Sequence, residues 1–166
     1  MKQLKSALAF VMAFMMVLSL GGCTLNRGTT WIAKSGDVTL PAGVYILNLS
    51  SNYSSAMSVL QQMYTEDAES VNIDNLWKNN LDGKSLNDWI TDETKGSIQN
   101  YFAILQKFNE LGFSFDEADE ALINQEVETY WSDGKDSYEE AGVSKESIRL
   151  QVESRYRSRM IFNSIY

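Results

Sequence analysis

Cys23, the only cysteine in this 166-residue chain, ends the sequence Leu20-Gly21-Gly22-Cys23. This order of a large apolar residue, two small residues and a cysteine resembles a bacterial lipobox, where a cysteine is lipidated and becomes the mature N-terminus. The cysteine thiol is the group that the lipid chemistry needs. We therefore predict cleavage between Gly22 and Cys23, and lipid attachment at Cys23 through a diacylglyceryl group whose two acyl chains anchor stably in a membrane.

The residues before Cys23 have the composition of a secretory signal peptide, because Lys2 and Lys5 precede an apolar stretch over residues 7–20. Two alternatives are an uncleaved membrane anchor and a chance cysteine after an ordinary signal peptide. A membrane anchor needs roughly 20 apolar residues, and this stretch has 14 before two glycines interrupt it. We expect a signal peptide over residues 1–22, a lipidated tether over residues 23–30, and a protein held at the extracytoplasmic face of the cell membrane.

Composition restricts the chemistry that the mature chain can perform. Without Lys2 and Lys5, 12 basic and 22 acidic side chains remain, a net charge of −10 that argues against nucleic acid and against electrostatic binding to anionic lipid. The sequence has no histidine, which excludes Ser-His-Asp and Cys-His catalysis and imidazole metal ligands. Since lipid consumes the only thiol, we expect no catalytic residues, metal or cofactor, and a binding role rather than an enzymatic one.

The side chains that suit apolar binding are aromatic residues and methionines, which offer contact area without strict geometry. Tyr53, Met57 and Met63 occupy a serine-rich helix and are the candidate client-binding residues, predicted to line a groove for unfolded chains. Most other aromatic residues on helical stripes are expected to be core, and the same core role is the alternative for these three. Six carboxylates of one later helix, which lack the pattern of a calcium loop, are interpreted as a solvated face: Asp116, Glu117, Asp119, Glu120, Glu126 and Glu128.

The elements that must position these residues are mainly helical. Residues 31–40 predict a β-hairpin with its turn at Gly36, and Pro41 suits the first turn of a helix over residues 42–64. Residues 66–83 are polar and rich in Asn and Asp, and are interpreted as an irregular connection.

Three further helices are indicated by capping patterns and apolar stripes. A capping box at Ser85 precedes a helix that stops at Gly112, and a box at Ser114 precedes the next. Residues 132–136 are interpreted as a loop and residues 138–141 as one turn closed by Gly142, before Ser144 caps the last helix. The fold class is therefore mainly α with a small β-hairpin at its start.

Several segments, in their order along the chain, resemble the extracytoplasmic foldase lipoproteins of the PrsA and SurA type. These are the lipobox followed by a hairpin and Pro41-Ala42-Gly43-Val44-Tyr45, the helix from Asp88-Trp89-Ile90 to Leu111-Gly112-Phe113-Ser114, and Tyr138-Glu139-Glu140-Ala141-Gly142-Val143-Ser144 before the last helix. The resemblance covers nearly the whole mature chain and contains no catalytic signature.

The resemblance implies a helical N-terminal chaperone domain over residues 31–166, in a lipid-anchored protein of a Gram-positive bacterium. In that family a parvulin-type prolyl isomerase domain usually follows the last helix. This chain ends there in residues 160–166, which carry several large apolar side chains, and we expect the domain to be truncated at this point. The isomerase activity of the relatives is not expected of these residues. The implied partners are unfolded secreted polypeptides.

Two other functions stay open at this point. A surface lipoprotein could bind a small ligand or dock a membrane partner complex, and it would show saturable binding of one defined molecule. A carboxylate-based wall hydrolase is a third hypothesis, for which no pair of Asp or Glu residues can be assigned from sequence.

Overall fold

A computed structural model describes residues 30–165 of the chain. This part is mainly helical with a two-stranded antiparallel hairpin at its start, which confirms the predicted fold class. The helices are α1 Ala42–Glu66, α2 Leu86–Glu110, α3 Glu117–Glu140 and α4 Lys145–Ile165. The strands are β1 Trp31–Ser35, β2 Val38–Pro41, β3 Asn80–Leu81 and β4 Lys84–Ser85, and short 3₁₀ turns span Ala68–Ser70 and Leu76–Lys78.

The first hairpin leads directly into α1. Its turn contains Gly36 at φ 58°, a left-handed conformation that glycine adopts without a Cβ penalty. Pro41 ends β2 and is the N-cap residue of α1, with φ −61°. Leu40 is fully buried and forms one small core with Val44 of α1 and Tyr101 of α2.

Helices α1 and α2 run antiparallel over most of their length. Val44 near the start of α1 packs close to Tyr101, whereas Leu60 near its end packs with Leu86 at the start of α2. Between these apolar ends the interface is polar, because the Asn52 amide donates to the hydroxyls of Thr94 at 3.3 Å and Ser97 at 3.2 Å.

Helix α4 packs against each of the other three helices. Its buried Ile148 and Val152 form a third core with Ile123 and Val127 of α3. Near its start it approaches α1 so closely that a Cβ on Gly43 would overlap the Ser147 side chain. The glycine at position 43 therefore permits the crossing of α1 and α4.

Two sequence-based predictions differ from the structure before α2 and at the start of α3. The connection predicted to be irregular contains the β3–β4 hairpin, whose turn residues Asp82 and Gly83 have φ 50° and 76°. The cap of α3 is Asp116 rather than Ser114, in a reciprocal capping box with Asp119. This later start leaves Phe115 before the helix, where its ring lies 5.3 Å from that of Phe108.

The loop predicted over residues 132–136 and the separate turn after it are both wrong. Helix α3 continues to Glu140 with a kink at Gly134, where φ is −134° and ψ is 15°. A Cβ on Gly134 would lie 2.8 Å from the Tyr138 ring, and that ring stacks on Trp131 at 6.3 Å and 8°. The glycine therefore bends the helix to admit an aromatic stack and does not end it. Gly142, at φ 76°, terminates this longer helix.

Candidate functional site

The ring of Tyr53 on α1 contacts the ring of Trp77, which lies in the connection between α1 and α2. Tyr53 is 41% exposed and Trp77 is 57% exposed. Met57, Leu60 and Tyr64 continue along the same side of α1, because residues three or four positions apart share one helix face. This side of α1 and the connection together form an aromatic and aliphatic surface.

A shallow groove of about 350 Å³ lies on this surface, between the last turns of α1 and the connection. Leu60 and Val71 are buried, whereas Tyr64 and Ile73 are 38% and 61% exposed. We call it the α1 groove; its lining residues are Met57, Leu60, Gln61, Tyr64, Val71, Ile73 and Leu76. Large apolar side chains that stay exposed beside a groove mark a binding surface more often than isolated exposed residues do.

The connection presents these side chains on a backbone held by its own hydrogen bonds. The buried Asn79 side chain accepts from the Asn72 N–H at 2.7 Å and donates to the carbonyls of Asn72 at 3.1 Å and Leu76 at 2.8 Å. The Asp67 carboxylate accepts from the Glu69 N–H at 3.0 Å. The Asn and Asp side chains of this segment therefore stabilise its turns. Its apolar side chains take no part in these hydrogen bonds, and they either pack on α1 or face solvent.

The structure brings together two of the three candidate binding residues. Tyr53 touches Trp77 beside the groove and Met57 lines it. Six helical positions rotate the side chain by about 240°, so Met63 lies about 120° around α1 from Met57. Met63 is half-buried and packs on the buried cluster that contains Ala56, Leu60 and Leu86, as Met57 also does. Met57 lines the groove in addition, whereas Met63 does not.

Trp77, Tyr64 and Ile73 are exposed residues outside the three candidates chosen from the sequence, although tryptophans and tyrosines in general were considered as groove residues. The core role was expected for aromatic residues on helical stripes, and neither Trp77, in the connection, nor Trp31, which is 56% exposed on the first hairpin, lies on one. A signal for Trp77 and Ile73 was present, since both are large apolar residues in a segment of polar turn formers without helical or strand periodicity. Such residues have no periodic face to bury.

A polar hollow of about 510 Å³ adjoins the α1 groove, and Val71 and Ile73 line both. The other side chains of the polar hollow include the carboxylates of Glu69 and Asp74 and the ammonium group of Lys78. Acidic residues dominate this end of the molecule: four lie between positions 66 and 74, where the sequence has no basic residue. The apolar surface therefore has a negatively charged border.

The acidic stretch of α3 is more than a solvated face. Glu120 pairs with Arg149 at 2.6 Å, Glu126 pairs with Arg155 at 2.7 Å, and Glu128 pairs with Lys145. These pairs tie α3 to α4, while Asp116 and Asp119 cap α3. Desolvation by itself would lower the pKa of Arg149, but the hydrogen bond to Glu120 and the charges of Glu153 and Glu120 together outweigh it and raise that pKa. This stretch therefore has a structural role.

A second cleft, of about 190 Å³, lies between α1, α3 and α4 and is lined by Leu47, Tyr130, Ile148 and Arg155 among others. The Arg155 guanidinium at this cleft is already paired with Glu126 and lies 5.4 Å from the centre of the Tyr130 ring. Its charge is therefore less available to a ligand than a free guanidinium would be. The α1 groove is the better candidate for contact with another molecule.

No protein-family model, curated protein or solved structure matches this chain.

The predicted signal cleavage and lipid attachment, at Gly22 and Cys23, lie outside the described residues. Within residues 30–165, none of the helices has both the length and the apolar character needed to cross a membrane. The same part of the chain contains no cluster of three or more Asp and Glu side chains arranged to hold a metal ion.

Proposed function

We propose that this chain is a membrane-anchored extracytoplasmic chaperone module of the PrsA/SurA type, which holds unfolded secreted polypeptides without catalysing a reaction. The observation that carries the proposal is the α1 groove with the Tyr53–Trp77 pair beside it. Here large aromatic and aliphatic side chains remain in contact with solvent next to one another and beside a groove. Unfolded chains expose the same kinds of side chain.

Holding requires contacts that form and break readily. One client side chain that buries about 100 Å² of apolar surface gains roughly 2.5 kcal/mol, and losses of motion on binding offset part of that gain. A groove that accepts one or two such side chains gives weak affinity and fast release. Aromatic rings and Met57 suit clients of varied sequence, because flexible and amphipathic side chains tolerate different partners.

The remaining features of the sequence support the same role. A net charge of −10 on the mature chain keeps a client complex soluble. The proposed diacylglyceryl group on Cys23 holds the module at the membrane surface, where secreted polypeptides emerge. The absence of histidine and of a second cysteine from the sequence agrees with binding rather than covalent or acid–base chemistry.

The test uses the full chain in a mild detergent, and an unfolded client protein that aggregates when its denaturant is diluted. We expect light scattering to rise more slowly as the chain is added in increasing molar ratio, compared with detergent alone and with an inert protein of similar net charge. Unchanged scattering at a molar excess of folded chain would contradict the proposal. Saturable binding of one defined small molecule or partner, without an effect on unfolded clients, would favour a ligand-binding or docking lipoprotein instead.

A further inference from the structure

The α1 groove and the polar hollow are adjoining parts of one surface, because Val71 and Ile73 line both. Ile73 is 61% exposed at this boundary. A chain segment with an apolar side chain in the groove therefore places residues a few positions away over the hollow, since an extended chain advances about 3.3 Å per residue. The charge that the hollow favours should therefore decide which client segments bind well.

The hollow favours a cation. It is lined by the exposed carboxylates of Glu69 and Asp74 and by one ammonium group from Lys78. Its lining also includes three asparagine residues, Asn72, Asn79 and Asn80. Within the described residues, neither Glu69 nor Asp74 forms an ion pair. The stretch from residue 66 to residue 78 has four acidic side chains and only one basic side chain. Its potential is therefore negative beside the place where the apolar side chain docks.

Resting on the proposed chaperone function, we propose that the α1 groove selects client segments in which an apolar residue is flanked by lysine or arginine. The apolar side chain occupies the groove, and the flanking cation lies in the polar hollow near Glu69 and Asp74. Aliphatic or aromatic segments flanked by acidic residues bind least. Charge complementarity gives this preference, while apolar contact gives the binding itself.

The experiment compares three fluorescein-labelled peptides with one apolar core, flanked by lysine, glutamine or glutamate, in titrations of the full chain followed by fluorescence anisotropy. Exposed ion pairs contribute up to about 1 kcal/mol each, so the lysine peptide should bind roughly three- to tenfold more tightly than the glutamine peptide. The glutamate peptide should bind most weakly. The differences should disappear in about 1 M salt, where the Debye length is about 3 Å.

The variant Glu69→Gln/Asp74→Asn should bind the lysine and glutamine peptides alike. The matched control Asp136→Asn/Glu140→Gln removes the same charge from exposed positions of α3 and should keep the preference. Circular dichroism checks that both variants are folded, and the salt titration of the unmodified chain tests the inference without any variant.

The outcomes separate the two claims. Equal binding of all three peptides would overturn the charge preference and leave the proposed chaperone function standing. Binding of none would overturn both. If the α3 control variant also lost the preference for the lysine peptide, the preference would come from the net charge of the protein. That result would overturn the role of the hollow.

Discussion

The ring centroids of Tyr53 and Trp77 lie 6.2 Å apart, with the ring planes inclined by 41°. This contact joins the middle of α1 to the 3₁₀ turn at Leu76–Lys78, and both rings keep about half of their surface in solvent. Aromatic pairs in tilted geometry are worth roughly 0.5–1.5 kcal/mol beyond their area burial. The pair therefore fastens the connection to α1 and at the same time offers an apolar surface beside the α1 groove.

The crossing of α1 over α4 predicts opposite effects for two glycine substitutions. In Gly43→Ala the new Cβ would meet the Ser147 side chain and would lie 3.4 Å from the Val143 Cα, which should destabilise the fold by roughly 1–3 kcal/mol. Gly96→Ala places its Cβ in open space on α2 and should stabilise the fold by up to about 1 kcal/mol. Urea unfolding followed by circular dichroism measures both. Equal free energies of unfolding for the two variants would refute the close approach.

The second prediction concerns Glu153, which bonds Arg149 at 2.8 Å and Arg157 at 2.7 Å on α4. Its side chain is 12% exposed, and the Arg157 guanidinium lies 5.6 Å from the centre of the Phe108 ring and 5.4 Å from that of Phe115. Glu153→Gln leaves Arg157, whose side chain is 14% exposed, without its carboxylate, whereas Arg149 keeps its pair with Glu120. We therefore expect a loss of stability of up to roughly 3 kcal/mol, at the low end for a broken buried pair.

The control for Glu153 is Glu126→Gln, which breaks the more exposed pair with Arg155. An exposed pair contributes less than about 1 kcal/mol. If both substitutions lowered the free energy of unfolding by the same small amount, the Glu153 network would be a surface feature rather than part of the core.

The third prediction follows from the burial of Tyr101, which raises its pKa above the ordinary value of 10.0, although the positive charge of Arg157 opposes the rise. The fold thus favours the neutral phenol. The stability that the raised pKa of Tyr101 contributes is fully present below the pKa that this tyrosine has in the unfolded chain. It is lost as pH rises through the higher pKa of Tyr101 in the folded chain. Above about pH 10, the unmodified chain should lose stability faster than Tyr101→Phe. Parallel pH profiles of the two unfolding free energies would contradict this account.

The fourth prediction tests the anchor. The N-terminal peptide of the native protein, released from the membrane fraction of its host and measured by mass spectrometry, should begin at Cys23 and carry the mass of a diacylglyceryl group on that cysteine. In Cys23→Ser the same peptide should lack lipid. An N-terminal peptide beginning at Met1, or an unmodified Cys23, would remove the basis for placing the protein on the membrane surface.

The helices and the first hairpin could be predicted because their signals are local. Apolar stripes of period 3.6, a Ser85 cap that accepts from the Asp88 N–H and a Ser144 cap that accepts from the Ser147 N–H depend on neighbouring residues alone. The β3–β4 hairpin was missed although Asp82-Gly83 is a strong turn signal, because each strand is only two residues long.

The features that could not be predicted depend on tertiary packing. The sequence around Gly134 has loop composition, but the helix continues through it, and Trp131 stacks on Tyr138 across the kink. For the candidate site, the four-residue spacing of Tyr53 and Met57 puts both on one side of α1. The position of Trp77 beside them could not be predicted, because the path of a connection without helical or strand periodicity cannot be derived from its sequence. Met63 shares their helix and packs on the same buried cluster as Met57, but it does not line the groove.

The fifth prediction, and the most direct test of the proposed function, is the affinity of the full chain for a labelled unfolded polypeptide, compared between Trp77→Ser and Trp31→Ser. The two tryptophans are almost equally exposed, at 57% and 56%, but only Trp77 lies beside the α1 groove. We expect Trp77→Ser to weaken binding roughly tenfold, the loss of about 1.4 kcal/mol of contact, while Trp31→Ser binds as the unmodified chain does. Unchanged binding by folded Trp77→Ser, or equal weakening by both variants, would contradict the assignment of client binding to this groove.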